Sequence, residues 1–113
     1  MNYKIYQMKI TGRLLKAKDR CFRHATQIIS DLSLADYDLV WNEDLEVCQE
    51  DFDYLDFLNG VYRIFNIAIP KKFKGHGPIT VSDIIELNET LYYIDTFGFV
   101  EINDKFEKIR SVP

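Results

Sequence analysis

Residues 73–102 read Phe-Lys-Gly-His-Gly-Pro-Ile-Thr-Val-Ser-Asp-Ile-Ile-Glu-Leu-Asn-Glu-Thr-Leu-Tyr-Tyr-Ile-Asp-Thr-Phe-Gly-Phe-Val-Glu-Ile, and no other stretch specifies local structure so closely. Pro70, Gly75, Gly77 and Pro78 punctuate a basic, aperiodic loop. After it, residues 79–87 and 91–96 carry β-branched and aromatic side chains on either side of a short Asn88-Glu89 turn, which predicts an antiparallel hairpin. Phe97-Gly98 then turns the chain into a third short strand over 99–102.

Working outward, Tyr3, Ile5 and Gln7 alternate with Lys4, Tyr6 and Met8, so 2–10 predicts a strand, broken at Thr11-Gly12. Over 16–32 the spacing becomes helical. Cys21, Ala25, Ile28 and Leu32 form one row, while Arg20, Arg23, His24 and Gln27 face away. Residues 36–42 predict a strand that ends in the turn Asn42-Glu43-Asp44. A second helix is expected over 50–65, where Phe52, Leu55, Leu58, Tyr62 and Phe65 run beside Tyr54, Phe57, Val61 and Ile64. Glu50, Asp51 and Asp53 fall in its first turn and Arg63 in its last, as the helix dipole favours. Residues 103–113 are polar enough to fray, with Phe106 and Ile109 spaced for at most one short helix. The order β-α-β-α-β-β-β predicts an α+β fold, with two helices packed on a mostly antiparallel sheet of about five strands. Residues 1–113 are expected to form a single domain.

Hydrophobic residues make up 47% of the 113, enough for a core, and this excludes a disordered chain. No apolar run approaches the ~20 residues of a membrane helix, and the N-terminal stretch lacks a signal-peptide core. A soluble, cytoplasmic protein is expected. Its two cysteines make no disulfide framework. The net charge of −4 conceals segregation: residues 24–62 hold ten acids and no Lys or Arg, whereas 63–75 hold four basic residues and no acid. Such grouping gives a protein oppositely charged surfaces if the fold keeps the segments together.

The segments Phe73-Lys-Gly-His at 73–76, Thr-Val-Ser-Asp-Ile-Ile-Glu-Leu at 80–87 and Tyr-Tyr-Ile-Asp-Thr-Phe-Gly-Phe at 92–99 resemble the YodL-like domain. Tyr3-Lys-Ile-Tyr-Gln and Asp36-Tyr-Asp-Leu-Val-Trp41 are similar to its corresponding segments, so the likeness spans most of 3–102. That family is found in Firmicutes proteins, often on plasmids, integrative elements and prophages. The resemblance implies a mobile-element accessory protein and carries no catalytic activity over. Small proteins of that genomic company are often inhibitors of host defence.

Three constellations could carry chemistry. Ser82-Asp83 with His76 and Asp95 has the residue types of a hydrolase, but no nucleophile elbow or oxyanion site surrounds Ser82. Capping and turn hydrogen bonds into the following strand are the expected role of Ser82 and Asp83. Cys21 and His24 with Cys48 and His76 could supply four zinc ligands, but the irregular spacing has no second tight pair, so no metal and no cofactor is expected. The third is the acidic segment of Asp36, Asp38, Glu43, Asp44, Glu46, Glu50, Asp51, Asp53 and Asp56. Closely spaced carboxylates can imitate backbone phosphates and occupy a basic groove, anchored at the rim by Trp41 and Tyr54.

The function expected from the sequence is therefore a non-enzymatic DNA mimic that binds and inhibits a host complex, with a CRISPR effector nuclease as the candidate target. The alternative is a nucleic-acid-binding accessory protein. It would use Lys16, Lys18, Arg20 and Arg23 of the first helix and Lys71, Lys72 and Lys74 of the loop. An acidic overall balance disfavours that alternative.

Overall fold

A computed structural model describes residues 1–9, 32–47, 50, 52–96 and 98–112. Its strands are β1 (Asn2–Met8), β2 (Tyr37–Asp44), β3 (Ile84–Leu87), β4 (Thr90–Asp95), β5 (Gly98–Ile102) and β6 (Lys108–Val112). An α-helix, α1 (Tyr54–Ile67), follows β2, and a 3-10 turn (Leu34–Asp36) leads into β2. The strands form one sheet in the order β2-β1-β3-β4-β5-β6, and every neighbouring pair is antiparallel.

The expected α+β architecture is corrected by this arrangement. Among the described residues there is one α-helix on a six-stranded antiparallel sheet, a mostly β fold. The helix expected over 16–32 lies outside the described residues. The additional strand is β6, whose side chains are nearly all exposed. An edge strand with so little burial leaves no apolar alternation to read, and Ile109 sits on that strand rather than on a helix. Phe106 instead occupies a left-handed turn (φ 58°) and is buried against Tyr37, ring centroids 5.7 Å apart.

Residues 79–83 are not strand either. Ser82 takes a left-handed φ of 83°, which breaks extended geometry, so β3 begins only at Ile84. The hairpin turn does fall at Asn88-Glu89, with φ of 43° and 72° at its two central residues. Asp53 sets the start of α1 by accepting the backbone N–H of Asp56 on Oδ1 at 3.1 Å. The helix runs on past Arg63 to Ile67 and ends before Pro70, whose preceding residue is steered away from helical geometry.

Both faces of the central strands are covered. Leu58, Val61 and Phe65 of α1 pack on Tyr3, Ile5, Ile85, Leu87, Tyr92, Ile94 and Phe99. Ile84, Tyr93, Val100 and Ile102 point the other way, into a second cluster with Met8, Leu32, Tyr37 and Phe106. Fully burying one such side chain stabilises the fold by about 1.5–3 kcal/mol. At the β1–β2 pair the register slips between Ile5 and Tyr6, and Val40 is the extra residue of the bulge. Val40 and Trp41 consequently both reach the α1 side of the sheet.

Candidate functional site

The motif block is held by two buried polar side chains of β1 and its neighbour. Gln7 is 1% exposed. Its Nε2 donates to the carbonyls of Gly77 (3.0 Å) and Pro78 (3.3 Å), and its Oε1 accepts the backbone N–H of His76 (3.0 Å). A Cβ at residue 75 would run into Gln7 Oε1 and the Phe73 ring, which is why Gly75 is glycine. Asp83 is fully buried, with Oδ1 accepting Met8 N–H (3.1 Å) and Oδ2 accepting Thr80 N–H (3.0 Å).

Ser82 is equally buried, and its carbonyl accepts the Tyr37 hydroxyl at 2.6 Å. His76 is exposed and donates from Nε2 to the Met8 carbonyl at 3.0 Å. Asp95 accepts its neighbour's Thr96 N–H at 2.7 Å, at the far end of β4. The side chains of His76, Asp83 and Asp95 thus bond to backbone groups, and Ser82 is fixed through its carbonyl. Cys21, His24 and Cys48 lie outside the described residues. Among the described residues no group of three His, Cys, Asp or Glu is placed to hold a metal ion.

The acidic residues divide into two places. Asp36 closes the 3-10 turn by accepting Ser33 N–H at 3.0 Å, and Asp38 stands exposed beside it at the start of β2. Asp44 is six residues further along that strand, on the order of 20 Å away at ~3.3 Å per residue. Asp44, Glu46, Glu50, Asp53 and Asp56 are all exposed, in or beside the connection from β2 to the first turn of α1. Asp51 lies outside the described residues.

Rings tie this end together. Tyr54 is 51% exposed and meets Phe52 edge-on at 4.8 Å; Phe52 lies 5.3 Å from Phe57, and Phe57 lies 5.4 Å from Tyr3. Trp41 and Glu43 turn out to be built inward. The Trp41 ring sits 5.0 Å from Phe65, and its Nε1–H is shared between Tyr3 Oη (2.9 Å) and Glu43 Oε2 (3.0 Å). Tyr3 donates its hydroxyl to the same Glu43 oxygen at 2.7 Å. Burial first, and Glu43 second, push the Tyr3 phenol above the ordinary tyrosine range.

Of the basic residues, Lys16, Lys18, Arg20 and Arg23 lie outside the described residues. Lys71, Lys72 and Lys74 are exposed on the loop after α1. Lys74 donates its backbone N–H to the bulged Val40 carbonyl at 3.2 Å. That bond lays the loop along the edge of β2, where Lys72 and Lys74 face residues 39–43 across a cleft of about 490 Å³. Acidic strand and basic loop therefore meet along this edge, a juxtaposition that linear charge blocks do not reveal. Gln7 was also overlooked in the sequence, although it carried a signal: it shares the parity of the apolar Tyr3 and Ile5.

Among the described residues no helix is long and apolar enough to cross a membrane. No curated protein and no solved structure matches the chain. The family model of the YodL-like domain matches residues 2–106. That span takes in β1 through β5 together with the Gln7 and Asp83 anchors, and the chain belongs to the YodL-like domain family.

Proposed function

We propose that this chain is a cytoplasmic, mobile-element binding protein without catalytic activity. It inhibits a nucleic-acid-handling host complex, with a CRISPR effector nuclease as the target class, by seating its acidic end in a basic groove. One observation carries this reading. The exposed carboxylates of Asp44, Glu46, Glu50, Asp53 and Asp56 flank the half-exposed Tyr54 in a stretch that contains no Lys or Arg. Spaced carboxylates around an aromatic side chain can displace phosphates from a basic groove and still give a fixed contact point. Trp41 supports the surface from inside, through its bonds to Tyr3 and Glu43. Asp36 and Asp38 lie outside the proposed contact.

The test is displacement of labelled DNA from a purified, guide-loaded CRISPR effector nuclease, with DNA cleavage followed in parallel. The chain should displace DNA at low salt and lose potency steeply as salt rises. Absence of displacement by the unmodified chain, or equal potency in the Glu46→Lys/Glu50→Lys variant, would contradict the reading.

A further inference from the structure

We infer that the surface from the end of α1 across residues 67–74 to the edge of β2 docks an acidic, amphipathic protein segment. This inference does not rest on the acidic-end reading, because it uses a different set of side chains and the opposite charge. Its first observation is apolar exposure. Ile67 is 77% exposed, Ile64 49% and Ile69 38%, and Leu39 on the far wall of the cleft is 48% exposed. Scattered single apolar side chains are ordinary on a protein surface; three within six residues at one helix end are not.

The second observation is charge. Arg63, Lys71, Lys72 and Lys74 flank these isoleucines in the sequence, in a stretch with no acid, and Lys72 and Lys74 line the cleft against Leu39. None of the four makes an ion pair with a described residue. Exposed apolar side chains beside cations that make no ion pair are complementary to a segment carrying apolar anchors on one side and carboxylates beside them.

The third observation is rigidity, which limits the ordering entropy that binding must overcome. Phe65 packs edge-on against Trp41 at 5.0 Å and tilted against Phe73 at 5.4 Å beneath the loop. Phe73 N–H bonds Pro70 O at 3.1 Å, Asn66 Nδ2 bonds Ile79 O at 2.8 Å, and Lys74 is fixed to Val40.

The same features argue against other occupants. RNA is gripped largely by exposed aromatic faces, but Phe65 is buried here and Phe73 and Trp41 are half-buried against it. An anionic bilayer is flat and could not fill a 490 Å³ recess. A protein segment can insert a side chain into the recess and place its acids against Lys72 and Lys74.

The experiment titrates the full chain, labelled with nitrogen-15, with a leucine–glutamate peptide of amphipathic helical pattern. Vesicles of phosphatidylcholine and phosphatidylserine, and oligouridylate RNA, are run in parallel. The peptide is expected to shift the amides of residues 63–74 and 39–42. Ile67→Ser and Lys72→Glu should each weaken it about tenfold. Both side chains are exposed, so both variants should keep the unmodified amide spectrum elsewhere. Lys72→Glu should in turn gain affinity for a leucine–lysine peptide. Shifts confined to other residues, affinity unchanged in both variants, or tighter binding of vesicles or RNA at these amides would each overturn the inference.

Discussion

The motif block around Gln7, Gly75 and Asp83 and the acidic end around Tyr54 use polar residues in opposite ways. In the block, polar side chains are buried and bonded to backbone groups. At the acidic end they are exposed, and Asp53 uses its carboxylate only to cap a helix. Of the residues that look most like chemistry in the sequence, the His76 and Asp83 side chains are joined to the Met8 backbone, and the Ser82 carbonyl is held by the Tyr37 hydroxyl. The blander acids face water. A compact set of His, Ser and Asp is therefore poor grounds for a site until its hydrogen bonds have been traced.

The comparison breaks most visibly at Asp83. Asp83→Ala strands two backbone N–H groups next to a buried site, each worth about 1–3 kcal/mol. Denaturant titration should show a loss of roughly 3 kcal/mol or more, and a near-neutral result would remove Asp83 from the framework. Gly75→Ala should cost about 1–3 kcal/mol in the same assay, because the added methyl must push Gln7 or Phe73 aside. A smaller change of opposite sign is expected at the hairpin. Glu89 holds a left-handed φ of 72°, and Glu89→Gly should raise stability by about 0.5–1 kcal/mol.

Alkaline titration examines the bonds that brace the acidic end from inside. Tyr3 keeps its proton to higher pH in the folded chain than the ordinary 10.0. The unfolded chain therefore loses that proton first, and stability falls as pH rises past about 10. Tyr3→Phe should make the fall shallower without abolishing it, since burial also raises Tyr6 and Tyr92. An unchanged alkaline slope in the variant would argue against the Tyr3–Glu43 bond.

What could be read from the chain follows from what each segment buries. β1, β4 and β5 and the Asn88-Glu89 turn were legible because apolar parity and turn chemistry agree there. β6 was not, because a solvated edge strand is specified by its partner β5 and by the Arg110–Glu101 contact (2.8 Å), not by its own pattern. The loss of extension over 79–83 was also hidden. It depends on Asp83 reaching Met8, a residue 75 positions away in the sequence. At the acidic end the carboxylates were legible, but not the inward fate of Trp41 and Glu43, which the Val40 bulge decides.

The most direct test compares the Glu46→Lys/Glu50→Lys variant with the unmodified chain in DNA displacement from the guide-loaded effector, with thermal unfolding recorded on the same samples. Exposed substitutions of this kind should move stability by no more than about 0.5 kcal/mol. The account predicts an unfolding midpoint close to that of the unmodified chain together with at least about tenfold weaker displacement. Full potency in a folded, charge-reversed variant would contradict it.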